Sequence, residues 1–227
     1  MKQIITFLQE LQANNNRVWF NANKTRYIKL QNQFNEFVDK LITEISHFDA
    51  SVIGLTAKDC IYRIYRDVRF SADKSPYKTH MGAFICQKGK KSGYSGYYFH
   101  IGTGGEGFPF EHMLATGDYC CDAKVLQILR EDIVNGNGDF DKIIRSVYPT
   151  FILDRSNSLK RNPKGFEQES QYNEYLRLKA FCLYHTPSND FICADNLAKR
   201  VAELFYITKP FLQYINRAIE YTKHDTY

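Results

Sequence analysis

The sequence predicts an α+β fold, an antiparallel sheet with helices packed on one face and at its end. Three observations carry this. Apolar residues recur at three- and four-residue steps through the first fifty positions; β-branched and aromatic residues take over from Asp59; helical spacing returns from Val125. The regular strand–helix alternation of a doubly wound parallel sheet is missing.

The first helix is marked by Ile4, Phe7, Leu8 and Leu11 and ended by Asn14–Asn16. A second, stronger helix places Tyr27, Leu30, Phe34, Phe37, Val38, Leu41 and Ile45 on one side and leaves Lys24, Lys29 and Lys40 to solvent. Trp19 and Phe20 fall between the two and are expected to staple them together. Strands are predicted at Cys60–Tyr65, Met81–Gln87 and Tyr97–Ile101, with Lys88–Gly93 as a polar hairpin turn joining the last two. A glycine-rich loop, IGTGGEGF, follows at Ile101–Phe108. Val125–Ile133 then forms a helix closed by Gly136, and Phe140–Val147 another with Asp139 as N-cap. Leu153–Ser170 reads as a long polar loop, Tyr172–Lys179 as a helix and Phe181–His185 as a short strand. The last helix runs from Ala194, with Leu197, Val201, Leu204, Phe205, Leu212, Ile215 and Ile219 facing in. Pro210 should kink or split it.

A chain of 227 residues suits one domain and buries about 70–75% of its unfolded surface, enough to fold without a disulfide or metal staple. The six cysteines, Cys60, Cys86, Cys120, Cys121, Cys182 and Cys193, form no C-x-x-C pair and read as small buried hydrophobes in a reducing compartment. The start, MKQIITFLQEL, lacks the apolar core and small-residue cleavage site of a signal peptide, and no apolar run reaches membrane-spanning length. A cytoplasmic protein without a membrane partner is the expectation.

Net charge is +5, mildly basic, so the distribution of charge matters more than its sum. From Arg63 to Lys78 there are five cations, Arg63, Arg66, Arg69, Lys74 and Lys78, against two carboxylates, Asp67 and Asp73. Three positive charges therefore lack a local partner. In an extended strand Arg63, Tyr65, Asp67 and Arg69 share a face, and two arginines around one aspartate can be a purely structural ladder. The surplus points instead to an anion: a phosphate-bearing or multiply anionic small ligand, gripped by forked arginines and lysine point charges. Pro76 stiffens the turn that presents Lys74 and Lys78, and Ser71 and Ser75 suit a phosphate cradle. A second basic cluster, Lys160, Arg161 and Lys164, joins the site only if its loop folds over the first; Lys24 is a further rim candidate.

For proton transfer, the candidates are His80, kept neutral by the neighbouring cations, and Asp67, with Tyr77 as an alternate. Whether the chain is an enzyme, and with what cofactor, stays open; phosphoryl or nucleotidyl chemistry is the class that fits. His80 and His100 could neighbour each other across a hairpin, with Glu106, Glu111 and His112 close behind, but no metal-binding spacing is present and no metal is assigned. No G-x-x-x-x-G-K-[ST] or G-x-S-x-G occurs. Nucleic acid remains an alternative partner, since Tyr62, Tyr65, Phe70 and Tyr77 interleave with the cations, although Tyr62 and Phe70 are expected in the core.

The segments NNNRVWFNANKTRY (Asn14–Tyr27), CIYRIYRDVRFSADKSPYKTH (Cys60–His80), GYYFHI (Gly96–Ile101) and LKRNPKGF (Leu159–Phe166) together resemble domain-of-unknown-function family 2461. The likeness runs over essentially the whole chain. It implies a stand-alone, cytoplasmic protein and supplies no reaction. Where relatives carry a glycine-rich segment ending in tryptophan, this chain has GGEGFPFEHMLATGDY.

Overall fold

The structure, a computed structural model, describes residues 1–104, 111–168 and 170–224. Its centre is a five-stranded antiparallel sheet built from β1 (His80–Cys86), β2 (Gly96–Gly102), β3 (His112–Asp118), β4 (Ile152–Leu153) and β5 (Phe181–His185), in the order β1-β2-β3-β5-β4. Helices α1 (Lys2–Ala13), α3 (Lys24–Ser46) and α9 (Leu197–His224) supply much of the layer that covers one face. The α+β architecture expected from the sequence is therefore present.

The helices form where the apolar spacing demands. Ile4, Phe7, Leu8 and Leu11 of α1 are buried, as are Leu30, Phe34, Phe37, Val38, Leu41, Ile42 and Ile45 of α3. Trp19 and Phe20 do join them, packing 5.6 Å from Phe7 and 5.1 Å from Tyr27 between ring centroids. They stand on a short helix of their own, α2 (Arg17–Ala22), started by Asn16, whose side chain accepts from the Trp19 amide at 2.9 Å. Pro210 does not split α9, which is continuous through it, with Phe205, Phe211, Leu212 and Ile215 buried on both sides of the ring. Their burial outweighs the one helical hydrogen bond that proline removes. After α5 (Ala123–Asn135), Gly138 at φ 82° takes the N-cap of α6 (Asp139–Val147), so Asp139 is the first helical residue and not the cap; two single turns, α7 (Asn173–Leu176) and α8 (Asn189–Ile192), precede α9.

Alternation divides the sheet into two faces. Met81, Ala83 and Ile85 of β1 register with Ile101, Phe99 and Tyr97 of β2, and these with His112, Leu114 and Thr116 of β3. All of these are buried, and the Thr116 hydroxyl meets that of Thr208 on α9 at 2.9 Å. The intervening residues, including His80, Gly82 and Phe84, turn to the other face.

Four expectations are corrected. The predicted strand Cys60–Tyr65 is not regular. A capping box of Thr56 and Asp59 commits Ala57–Cys60 to a helical turn, α4. Beyond it the chain touches β1 and its approach through isolated bridges, Ile61 to Ala83 and Tyr65 to Tyr77. Between these bridges one side advances four residues and the other six, so no continuous ladder forms. Strands β3 and β4 were not foreseen: HMLATGD carries little β-branching, and β4 has only two residues. Gly117, at φ 125°, brings β3 so close to β5 that a Cβ would stand 2.1 Å from the Phe181 carbonyl oxygen. Finally, Cys120 is exposed, although Cys60 and Cys86 are buried. The glycine-rich loop and Glu106 lie partly or wholly outside the described residues. Among the described residues no helix is long and apolar enough to cross a membrane.

Candidate ligand-binding site

On the face of the sheet away from α3 and α9 is a concavity of about 670 Å³. Its floor comes from the second set of alternating residues: Phe84 of β1, Tyr98 of β2, Met113 and Ala115 of β3, and Cys182 and Tyr184 of β5. Lys78 and Tyr62 rise at the β1 edge, Asp154 and Ser156 at the β4 edge, and Tyr119 follows β3. A size of several hundred Å³, an aromatic floor and few polar groups are the usual properties of a small-molecule pocket.

The β1 side holds the titratable groups. The Tyr98 hydroxyl lies 3.0 Å from His100 Nδ1, and the His100 ring stacks on His80 with centroids 4.4 Å apart. Gly82 makes room for this, since a Cβ there would meet the Tyr98 hydroxyl at 2.8 Å. Burial lowers His100 to about 2, with the neighbouring His80 adding to the effect. It lowers His80 to about 4, aided by the charges of Lys78 and then Arg66. Both rings are neutral at ordinary pH. Lys78 Nζ sits 5.4 Å from the centroid of the Tyr62 ring, and burial followed by the charge of Arg63 lowers its pKa. Among the described residues no carboxylate comes within ion-pair distance of Lys78.

Most of the other cations singled out in the sequence are occupied inside their own hairpin, outside the concavity. Arg66 is bound by Asp73, whose carboxyl is held far below its usual range by Ser75 first and by Arg66. Arg69 forks onto Asp67 at 3.0 and 2.7 Å, lowering the Asp67 pKa. Lys74 donates to the Val68 carbonyl at 3.0 Å. Arg63 is exposed, close enough to Lys78 to depress its pKa. Tyr62 and Phe70, expected in the core, are not there: Tyr62 walls the concavity and Phe70 is 97% exposed. Phe70 stands four positions beyond Arg66, at the tip of the hairpin, where among the described residues no layer buries its ring.

Lys160, Arg161 and Lys24 are exposed and do not line the concavity, although Asp154 and Ser156, at the start of the loop that carries Lys160 and Arg161, do. His112, on the helix side, is tied to Asn189 at 3.0 Å and to the Gly102 amide at 3.5 Å. Among the described residues no three His, Cys, Asp or Glu side chains gather as a metal site. Gly102, Gly104 and Gly107 do fall at G-x-G-x-x-G spacing. However, among the described residues the next element after β2 is its antiparallel neighbour β3 and not the helix N-terminus that a dinucleotide fingerprint requires. Sequence reasoning missed Tyr98, Tyr119, Asp154 and Tyr184. The available signal for Tyr98 and Tyr184 was the strand alternation, which puts each on the face opposite the apolar core.

A family model described as "Conserved hypothetical protein (DUF2461)" matches residues 3–214. No curated protein and no solved structure matches the chain.

Proposed function

The chain belongs to this family of conserved hypothetical proteins, and we propose that it binds a small organic anion with a flat apolar body on the open face of its sheet. The observation that carries the reading is Lys78, a partly buried ammonium with no carboxylate partner among the described residues, at the wall of an aromatic concavity. A desolvated cation is costly unless an opposite charge joins it, and a phosphate or carboxylate would do so. Tyr62, Tyr98 and Tyr184 would hold the ligand's body, with Arg63 at the rim. The remaining cations, Arg66, Arg69, Lys74, Lys160 and Arg161, would add to the field that draws an anion in. In any reaction on this ligand His80, neutral and lining the concavity, is the group placed to take a proton; Asp67 is clasped by Arg69.

Adenosine monophosphate and biphenyl-4-carboxylate test the phosphate and carboxylate forms. Either should raise the melting temperature, and further as its concentration increases, because it binds only the folded state. Lys78→Met should abolish the rise. No shift with either compound at millimolar concentration refutes the reading.

A second reading rests on Phe70, exposed at the hairpin tip with the Arg69 guanidinium 5.9 Å from its ring centroid. An aromatic beside cations can stack a base of single-stranded nucleic acid. Salt-sensitive retention on a single-stranded polynucleotide, lost in Phe70→Ala, would support it, and no retention at low salt would end it.

A further inference from the structure

Several lysines of the chain have an acceptor for Nζ. Lys74, Lys90 and Lys209 donate to backbone carbonyls at 3.0, 3.0 and 2.6 Å, and Lys142 donates to Asp139 at 2.9 Å. Among the described residues Lys78 Nζ has none, although its backbone is fixed: the Lys78 amide donates to the Ile64 carbonyl at 2.8 Å.

The groups around this amine form one compact corner of the concavity. The centroid of the Tyr62 ring is 5.4 Å from Nζ, and the Tyr98 ring lies 6.4 Å beyond that of Tyr62. His80, two residues after Lys78, lines the same corner and stacks on His100, which the Tyr98 hydroxyl meets at 3.0 Å. Phe84, the register partner of Tyr98, continues the apolar floor. The charge of Arg63 acts on Lys78, and that of Arg66 on His80. Burial and like charge both disfavour an ammonium here, and loss of its proton relieves both. What remains is an uncharged amine in an apolar pocket beside a cation, the setting in which a lysine attacks carbonyl groups.

Resting on the pocket reading above, we infer that Lys78 forms an imine with its ligand, and that the ligand is an aromatic 2-oxo acid. Such a compound is a small organic anion with a flat apolar body, and its ketone carbon adjoins its carboxylate. The carboxylate would face Arg63 at the rim, the ring would lie on Phe84 and Tyr98, and the ketone would come to Nζ. The Nζ lone pair attacks the ketone carbon, and a C–N bond forms as the C=O π electrons move to oxygen. Both nitrogen protons pass to that oxygen, the C–O bond breaks as C=N forms, and water leaves. His80, neutral at ordinary pH, is the group at hand to shuttle the protons.

Phenylpyruvate with sodium cyanoborohydride tests this on the whole chain. The reductant delivers hydride to the imine carbon and fixes the adduct as a secondary amine, which peptide mapping by mass spectrometry reads at each lysine. Lys78 should be labelled about tenfold faster than the exposed Lys24 and Lys160. Biphenyl-4-carboxylate, which has no ketone, should protect Lys78 and leave Lys24 unaffected. Lys78→Arg keeps the charge but cannot form an imine, so it should lose the fast phase of labelling while retaining part of the melting shift with biphenyl-4-carboxylate. Labelling of Lys78 no faster than Lys24, or not slowed by biphenyl-4-carboxylate, overturns the imine assignment. If biphenyl-4-carboxylate still raises the melting temperature in that sample, the pocket reading stands alone. Neither a melting shift nor a selective label overturns both.

Discussion

The hairpin closed by the Tyr65–Tyr77 bridge and the open face of the sheet are neighbours that treat charge in opposite ways. In the hairpin, cations outnumber carboxylates, yet Arg66 and Arg69 close onto Asp73 and Asp67 within a few residues, and Lys74 onto a carbonyl. These pairs are solvent-exposed and short in sequence. On the sheet face the charged residues are few, but Lys78 and Asp154 are each without an ionic partner among the described residues. The lesson is that an excess of charge in a stretch of sequence marks where ions are numerous. A candidate ligand site is better marked by an ion that is partly desolvated and left unmatched, as Lys78 is among the described residues.

That contrast can be broken most forcefully at the sheet. Gly117→Ala should cost about 4 kcal/mol in urea unfolding, combining a strained φ with a Cβ driven into the Phe181 carbonyl. A change under 1 kcal/mol would mean that β3 and β5 are less tightly apposed than described.

The next effect is on pH dependence. His80 is held at about 4 against an ordinary 6.5, because burial and nearby cations disfavour its charged form. The folded state therefore binds its proton only at lower pH than the unfolded chain does. The stability this contributes is complete above about pH 6.5 and is lost as pH falls to about 4, roughly 3 kcal/mol in all. Urea melts between these limits should show a slope that His80→Gln flattens. An unchanged slope would remove His80 from the desolvated group.

The smallest effect belongs to the hairpin. Asp67→Ala breaks an exposed pair with Arg69 and should leave the melting curve of the free protein indistinguishable from the parent. A large loss would make the pair structural and erase the contrast.

What the sequence made legible was periodicity. Helices α1, α3, α5 and α9 and strands β1, β2 and β5 all follow from apolar spacing that a single segment can display. Strand β3 was illegible because its residues have weak strand preference and its place depends on β5, some sixty positions later. The same distance hid the site. Lys78 and His80 were named from their local sequence, but Asp154 and Tyr184 come to the same face only through the strand order β1-β2-β3-β5-β4. Arg66 and Arg69 looked unsatisfied because the count of charges ignored which of them could bend back on their neighbours.

The irregular run Ile61–Ile64 has one more effect, which arises from where it lies. β1 is the outermost strand on its side, and the Tyr62 amide donates to the Gly82 carbonyl there at 3.0 Å. The run thus occupies hydrogen-bonding positions that another polypeptide would otherwise template on, while the opposite border is blunted by the brevity of β4. A sheet guarded at both rims in this way resists edge-to-edge aggregation, and the guard is the very segment whose irregular backbone keeps it from being a sixth strand.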